Sequence, residues 1–106
     1  MDRMTAAEVA CTRHLLGLTA DQMGAALGVN PRTVRSWEAG RDKPSDTASA
    51  AVRNLRAEHD QEVERLAASD AVIYLPDGPR PAGWYKALGA RVLDREPDAM
   101  IEWLRE

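Results

Sequence analysis

Apolar residues recur at helical spacing through the first two thirds of the chain, and small capping residues cut that pattern into short pieces. Thr5 stands three residues before Glu8, as in a capping box, and Val9, Ala10, Arg13 and Leu16 follow at helical spacing until Gly17 stops the element. Thr19 caps a second helix, with Asp21 and Gln22 in its first turn and Met23, Ala26 and Leu27 as its apolar stripe. Gly28 then supplies a turn residue of positive φ, and Val29 fills the corner. Asn30 as cap and Pro31 at the first helical position open a third helix, which Gly40 terminates. After the polar loop Arg41-Asp42-Lys43-Pro44, Ser45 or Asp46 caps a fourth helix running to about Ser69. Its stripe of Ala48, Ala51, Val52, Leu55, Val63 and Leu66 is broken by His59 and Glu62. The weaker outer half is expected to leave the first core and seek another surface.

Val72-Ile73-Tyr74-Leu75 is the one convincing strand, ended by Pro76-Asp77-Gly78-Pro79. A lone strand cannot satisfy its own backbone groups. Its expected neighbour is a second short strand near residues 82–85 or the same strand of another copy. Residues 84–94 predict a helix with Leu88, Val92 and Leu93 apolar, and Pro97 opens a final short helix carrying Met100, Ile101, Trp103 and Leu104. Unpaired strand and short apolar helices together want a partner. Val72, Ile73, Tyr74, Leu75, Trp84, Tyr85, Ile101, Trp103 and Leu104 are therefore expected as core or dimer contacts rather than a ligand cage. The expected division is a helical unit over residues 1–69 and a dimerisation segment over 70–106.

At 106 residues and 11.7 kDa the chain has room for one compact domain, or one with a small appendage. Phe is absent, so Leu, Ala and Val must supply most of a small core that a second copy would complete. No apolar run approaches the ~20 residues of a membrane span, and residues 1–5 lack a signal-peptide profile. Cys11 has no cysteine to pair with and reads as a small core residue rather than a redox sensor; His14 and His59 give no zinc-site spacing. A cytoplasmic protein with no cofactor, metal or membrane contact is expected. The net charge of −3 argues against nucleic acid only superficially. Residues 1–56 hold eight basic and six acidic side chains, and residues 57–106 hold six and eleven, so the front half is mildly basic. Twelve Arg against two Lys, with abundant Ala, hint at a GC-rich bacterial or phage genome.

No nucleophile motif accompanies either histidine, no glycine-rich phosphate loop is present, and Glu58, Glu62 and Glu64 alternate with arginines as on a solvated helix face. An enzyme is not expected. Residues 15–40 instead read helix end, short helix, a Gly-centred turn and a second helix, which is the helix-turn-helix spacing. Leu18-Thr19, Met23, Leu27-Gly28-Val29, Thr33-Val34, Trp37-Glu38, Gly40 and Pro44-Ser45 resemble the Xre/Cro-type helix-turn-helix family in register across roughly residues 4–68. The fold class implied is mainly α, a lambda-repressor-like bundle with a small C-terminal strand-and-helix dimerisation segment. Leu16, Leu18, Met23, Leu27, Val29, Val34 and Trp37 would form its core.

The resemblance also implies roles. Arg13 and Glu38 stand where the family commonly pairs an arginine late in the first helix with the glutamate after the tryptophan, a salt bridge fixing the third helix. Asn30, Pro31, Arg32, Thr33 and Arg35, with Ser36 beside them, occupy the groove-facing start of the third helix. Arg32 and Arg35 are suited to guanine O6 and N7; the alternative is a pair of solvated surface arginines. Asn30 also serves as helix cap, and Thr33 is a candidate for a phosphate or for local packing. Thr19, with the helix N-terminus behind it, and Arg41 and Lys43 in the following loop are candidate phosphate contacts, against a plain solvated loop for the last two. The chain departs from the family at Ala20, where many members place a glutamine brace, and at Pro31, which has no side-chain donor; both shift base reading onto Arg32 and Arg35.

The tail, with Asp77-Gly78-Pro79-Arg80-Pro81, Trp84-Tyr85, Asp94, Pro97-Asp98, Ile101 and Trp103, is similar to the C-terminal part of anti-CRISPR-associated repressors. Together the resemblances imply a homodimer that binds double-stranded DNA at a palindromic operator and represses transcription, that of its own operon included. The rival expectation is an antitoxin or adaptor whose acidic half neutralises a toxin or other protein partner.

Overall fold

The computed structural model describes residues 3–104. Seven elements follow one another there: α1 (Ala6–Leu15), α2 (Ala20–Leu27), α3 (Pro31–Glu38), α4 (Asp46–Ala67), β1 (Ile73–Leu75), α5 (Ala82–Arg95) and β2 (Ile101–Trp103). The architecture is mainly helical.

Local chemistry sets the first four elements. Thr5 and Thr19 each form a reciprocal capping box: their hydroxyls accept from the Glu8 and Gln22 N–H groups, whose side chains accept from the threonine N–H in return. Asn30 Oδ1 accepts from the Arg32 N–H at 2.8 Å, and Pro31 supplies the preset first φ of α3. Ser45, rather than Asp46, caps α4 through its hydroxyl, which accepts from Ala48 N–H. Gly28 closes α2 at φ 72°, a left-handed conformation that costs a residue with a Cβ.

Val9, Leu16, Leu18, Met23, Val34, Trp37 and Val52 are buried where these helices meet, with Leu27 and Val29 partly buried against them. Two expectations fail here. Ala26 is exposed, and Gly24 lies buried against the turn in its place. Cys11 is also exposed, because two residues along a helix is about 200° of rotation and carries it away from the buried Val9 face.

The C-terminal segment differs more from expectation. β1 pairs in parallel with residues 101–103, in the register Ile73↔Ile101, Tyr74↔Glu102 and Leu75↔Trp103. The expected final helix is thus β2, and residues 82–85, offered as a partner strand, form the first turn of α5. The reason lies in connectivity: parallel strands need a long crossover, and α5 is that crossover, folding over the sheet. Trp84, Tyr85, Leu88 and Val92, at helical spacing, bury one face of α5.

α5 packs on the outer half of α4, so the surface that half-helix sought is supplied by the same chain. Arg80 grips Glu58, Arg91 bonds Asp60, and Arg95 pairs with Glu64 along the seam. Ile73, Leu75, Trp84 and Tyr85, expected as dimer contacts, are consequently covered by their own chain. Tyr74, Trp103 and Leu104 remain exposed, as does Met100, while Val72 and Ile101 are half-buried.

His59 sits inside this seam, fully buried. Its Nδ1 faces Arg91 Nη1 at 2.9 Å and its Nε2 faces the Trp84 carbonyl at 3.2 Å, with the Trp84 ring edge-on to it. Arg91 can only donate, so Nδ1 accepts and the Nε2–H donates to the carbonyl, a neutral imidazole with both nitrogens satisfied. Burial pushes the His59 pKa below its ordinary 6.5, the Trp84 carbonyl and Asp60 oppose that, and Arg91 and Arg56 reinforce it. The unfolded chain therefore takes up a proton near pH 6.5 that the folded chain refuses. The contribution is fully present above that pH and lost as pH falls through it. A thermal melt followed from pH 8 to pH 5 should show falling stability below about 6.5, and His59→Gln, which retains an acceptor for Arg91, should flatten that slope.

Candidate nucleic-acid interface

α3 presents two unlike faces. Val34 and Trp37 point into the core, so Arg32 and Arg35, displaced around the helix, stand exposed. The helix is held from behind by Arg13, whose Nε and Nη2 donate to Glu38 Oε2 and Oε1 at 2.6 and 2.7 Å. A third donor, Arg13 Nη1, bonds the Leu18 carbonyl at 3.1 Å. One guanidinium thus ties the end of α1, the α1–α2 turn and the end of α3 together. The pair is about three-quarters buried at Arg13 and more so at Glu38, which makes a bidentate bond count for more than a surface ion pair.

Asn30, Arg32, Thr33 and Ser36 line one shallow hollow on the outer side of α3, with Asp42 at its rim. Asn30 Oδ1 is committed to the cap, which leaves its amide N–H donors for a ligand. Ser36 Oγ donates to Asp42 Oδ2 at 2.7 Å, so its hydroxyl is already engaged within the loop. Pro31 is half-buried and contributes shape alone. Arg35 lies on the other flank, bonded to Asp21 of α2. Thr19 has both its hydroxyl and its N–H engaged with Gln22, so an anion there would meet the next N–H groups of α2 instead.

The cations sort by partner. Arg56, on α4, and Arg65, Arg80, Arg91 and Arg95 of the back half are all paired with carboxylates. Among the described residues Arg32, Arg41, Lys43 and Lys86 have no side-chain ion pair or hydrogen bond; the first three lie on α3 or in the loop that follows it, and Lys86 lies apart on α5. The whole-chain charge therefore hides a local, uncompensated positive field beside α3.

Two contributors to this face were missed from the sequence. Arg3, counted only as a charge, donates from Nε to the Pro44 carbonyl at 2.8 Å and from Nη2 to the Lys43 carbonyl at 2.6 Å. It fixes the loop backbone from beneath while Arg41 and Lys43 project outward. From the sequence alone Asp21 is only a helix-dipole residue. Neither has a local signal, because the partners lie 41, 40 and 14 residues away. Among the described residues no group of three or more His, Cys, Asp or Glu side chains could hold a metal, and no helix is long and apolar enough to cross a membrane.

The helix-turn-helix family matches the chain over residues 13–54, from the Arg13 clamp through α2 and α3 into the first part of α4. This match supports an Xre/Cro-type helix-turn-helix domain and a DNA-binding regulator. It stops short of the C-terminal β1–α5–β2 segment. No curated protein matches the chain.

Proposed function

We propose that the protein is a sequence-specific repressor that docks α3 in a DNA major groove as a homodimer. The observation that carries this reading is the cluster of uncompensated cations on and after α3, in a chain whose other arginines are largely neutralised. Arg32 and Arg35 read base edges from the start of the helix, with Asn30, Pro31 and Ser36 shaping the approach. Thr33, Arg41, Lys43 and the N-terminal turn of α2 at Thr19 hold phosphates. No catalytic step, metal or cofactor enters this account, and the site of action is the cytoplasm.

The dimer contact would fall on the β1–β2 sheet. Tyr74, Trp103 and Leu104 are 53–56% exposed and Met100 is 64% exposed, apolar side chains at a small sheet that a second copy would cover. Each strand also has an edge unpaired by its own chain. For this reading to hold, a two-fold through this sheet must set two α3 helices on half-sites ~34 Å apart, one turn of the duplex. Bound there, the dimer excludes RNA polymerase from a promoter, in the simplest case that of its own operon, as in an anti-CRISPR-associated regulator.

The rival is an antitoxin or adaptor that captures a basic partner with its acidic half. Against it, Glu58, Asp60, Glu62, Glu64 and Asp77 are already paired with arginines of the same chain. Titrating duplex DNA at several salt concentrations separates the two. Lys43→Ala should weaken binding to every duplex and reduce the salt slope by about 0.9, one phosphate contact. A variant that binds all duplexes with the wild-type salt slope would remove Lys43 from the contact.

A further inference from the structure

Arg32 and Arg35 are both exposed, on the two flanks of α3, but are not equivalent cations. Arg32 has no carboxylate partner among the described residues. Arg35 Nη2 donates to Asp21 Oδ1 at 2.7 Å, linking α3 to the first turn of α2. Resting on the DNA-binding reading above, we infer that Asp21 is a positioning residue that makes Arg35 a guanine reader instead of a phosphate contact.

The pair is too exposed to serve the fold: Arg35 is 57% and Asp21 70% exposed. Ion pairs of that kind contribute little to stability, since water screens them and two side chains must be ordered. What the bond does is geometric and electrostatic. A free arginine swings widely and goes to the nearest phosphate, which carries no sequence information. With one Nη2 hydrogen held by Asp21, the swing of the guanidinium is narrowed toward that side. The other Nη2 hydrogen and the Nη1 donors stay available in the guanidinium plane, as end-on bonding to two adjacent acceptors requires. In the major groove guanine O6 and N7 are such a pair, whereas adenine and thymine each set an acceptor beside a donor or a methyl group.

The carboxylate also cancels the charge of Arg35, so a phosphate gains little by approaching it. Asp21 is itself suited to its place, because it stands in the first turn of α2 where the helix dipole favours an anion. Arg32, uncancelled, keeps its attraction for the duplex as a whole. One helix thereby carries two base readers, of which Arg32 also adds to the attraction for DNA and Arg35 is restrained to discriminate.

The test is selection from a random duplex pool with the full-length wild type, Arg35→Ala, Asp21→Asn and Asp21→Glu, alongside salt titrations on an unrelated duplex. The base pair read by Arg35 is the one whose guanine preference disappears in Arg35→Ala. At that position Asp21→Asn should lower the guanine preference roughly tenfold and leave the other positions alone. Its affinity for the unrelated duplex should rise, with a salt slope steeper by about 0.9. Asp21→Glu should restore most of the preference. Should Asp21→Asn melt well below the wild type, Asp21→Ser, which keeps a polar group in the first turn, takes its place. An unchanged guanine preference, or a loss spread evenly over all positions, overturns the assignment and leaves DNA binding standing. A wild type that enriches no sequence overturns both.

Discussion

Gly17→Ala should destabilise the protein by about 2–5 kcal/mol, a large part of the 5–15 kcal/mol that holds a domain of this size together. Two costs combine. Gly17 has φ 70°, where a residue with a Cβ loses about 1–2 kcal/mol. The new methyl would also lie 2.0 Å from the Gly83 carbonyl oxygen and 2.6 Å from its carbon. That is backbone, which cannot swing aside like a side chain, so α5 must move off the α1–α2 turn, adding about 1–3 kcal/mol of overpacking. Gly83 is the mirror of this contact, with a Cβ there 2.1 Å from the Gly17 oxygen. The consequence should reach the DNA face. Leu18, next in the chain, offers its carbonyl to Arg13, which holds Glu38 at the end of α3. A lower melting temperature together with weakened DNA binding is the expected pair of results. Wild-type stability in Gly17→Ala would contradict the close backbone contact between α5 and the α1–α2 turn.

The double substitution Arg32→Ala and Arg35→Ala should cost about 2–6 kcal/mol of discrimination between operator and unrelated DNA, one bidentate base contact being worth about 1–3 kcal/mol. That corresponds to a specificity ratio reduced by roughly 30-fold to 10⁴-fold. Non-specific binding should fall far less, because Arg41, Lys43 and the Arg3-braced loop beneath them are untouched. Stability should hardly change, since both side chains are exposed and the inward contacts of α3 belong to Val34 and Trp37. Competition titration of a selected operator against random duplex, with a melt on the same samples, checks all three. Operator preference retained in the double variant would place the reading face elsewhere.

What the sequence made legible follows from distance along the chain. The caps at Thr5, Thr19 and Asn30 act over two or three residues, so their spacing is visible without a fold. The opposition of Val34 and Trp37 to Arg32 and Arg35 is likewise a matter of helical period. β2 was illegible because Ile101-Glu102-Trp103 is too short to separate a period of 2 from one of 3.6, and its partner lies 28 residues back. α4 read as broken at His59 because a histidine looks polar until Arg91 and the Trp84 carbonyl satisfy both ring nitrogens. That in turn hid the fact that α5 covers α4, and it sent Ile73, Leu75, Trp84 and Tyr85 to a dimer contact instead of their own core. On the DNA face the arginines were visible, but their pairing state was not. Asp21 with Arg35, and Arg3 with the Lys43 and Pro44 carbonyls, exist only once the chain has folded.

The account stands on α3 reading base edges in a two-fold arrangement. Selecting bound sequences from a random duplex pool with the full-length protein tests it most directly. The predicted result is a palindromic motif with guanine in each half and half-sites about 10 base pairs apart. A pool that stays random after repeated rounds, or a motif without two-fold symmetry, would contradict it.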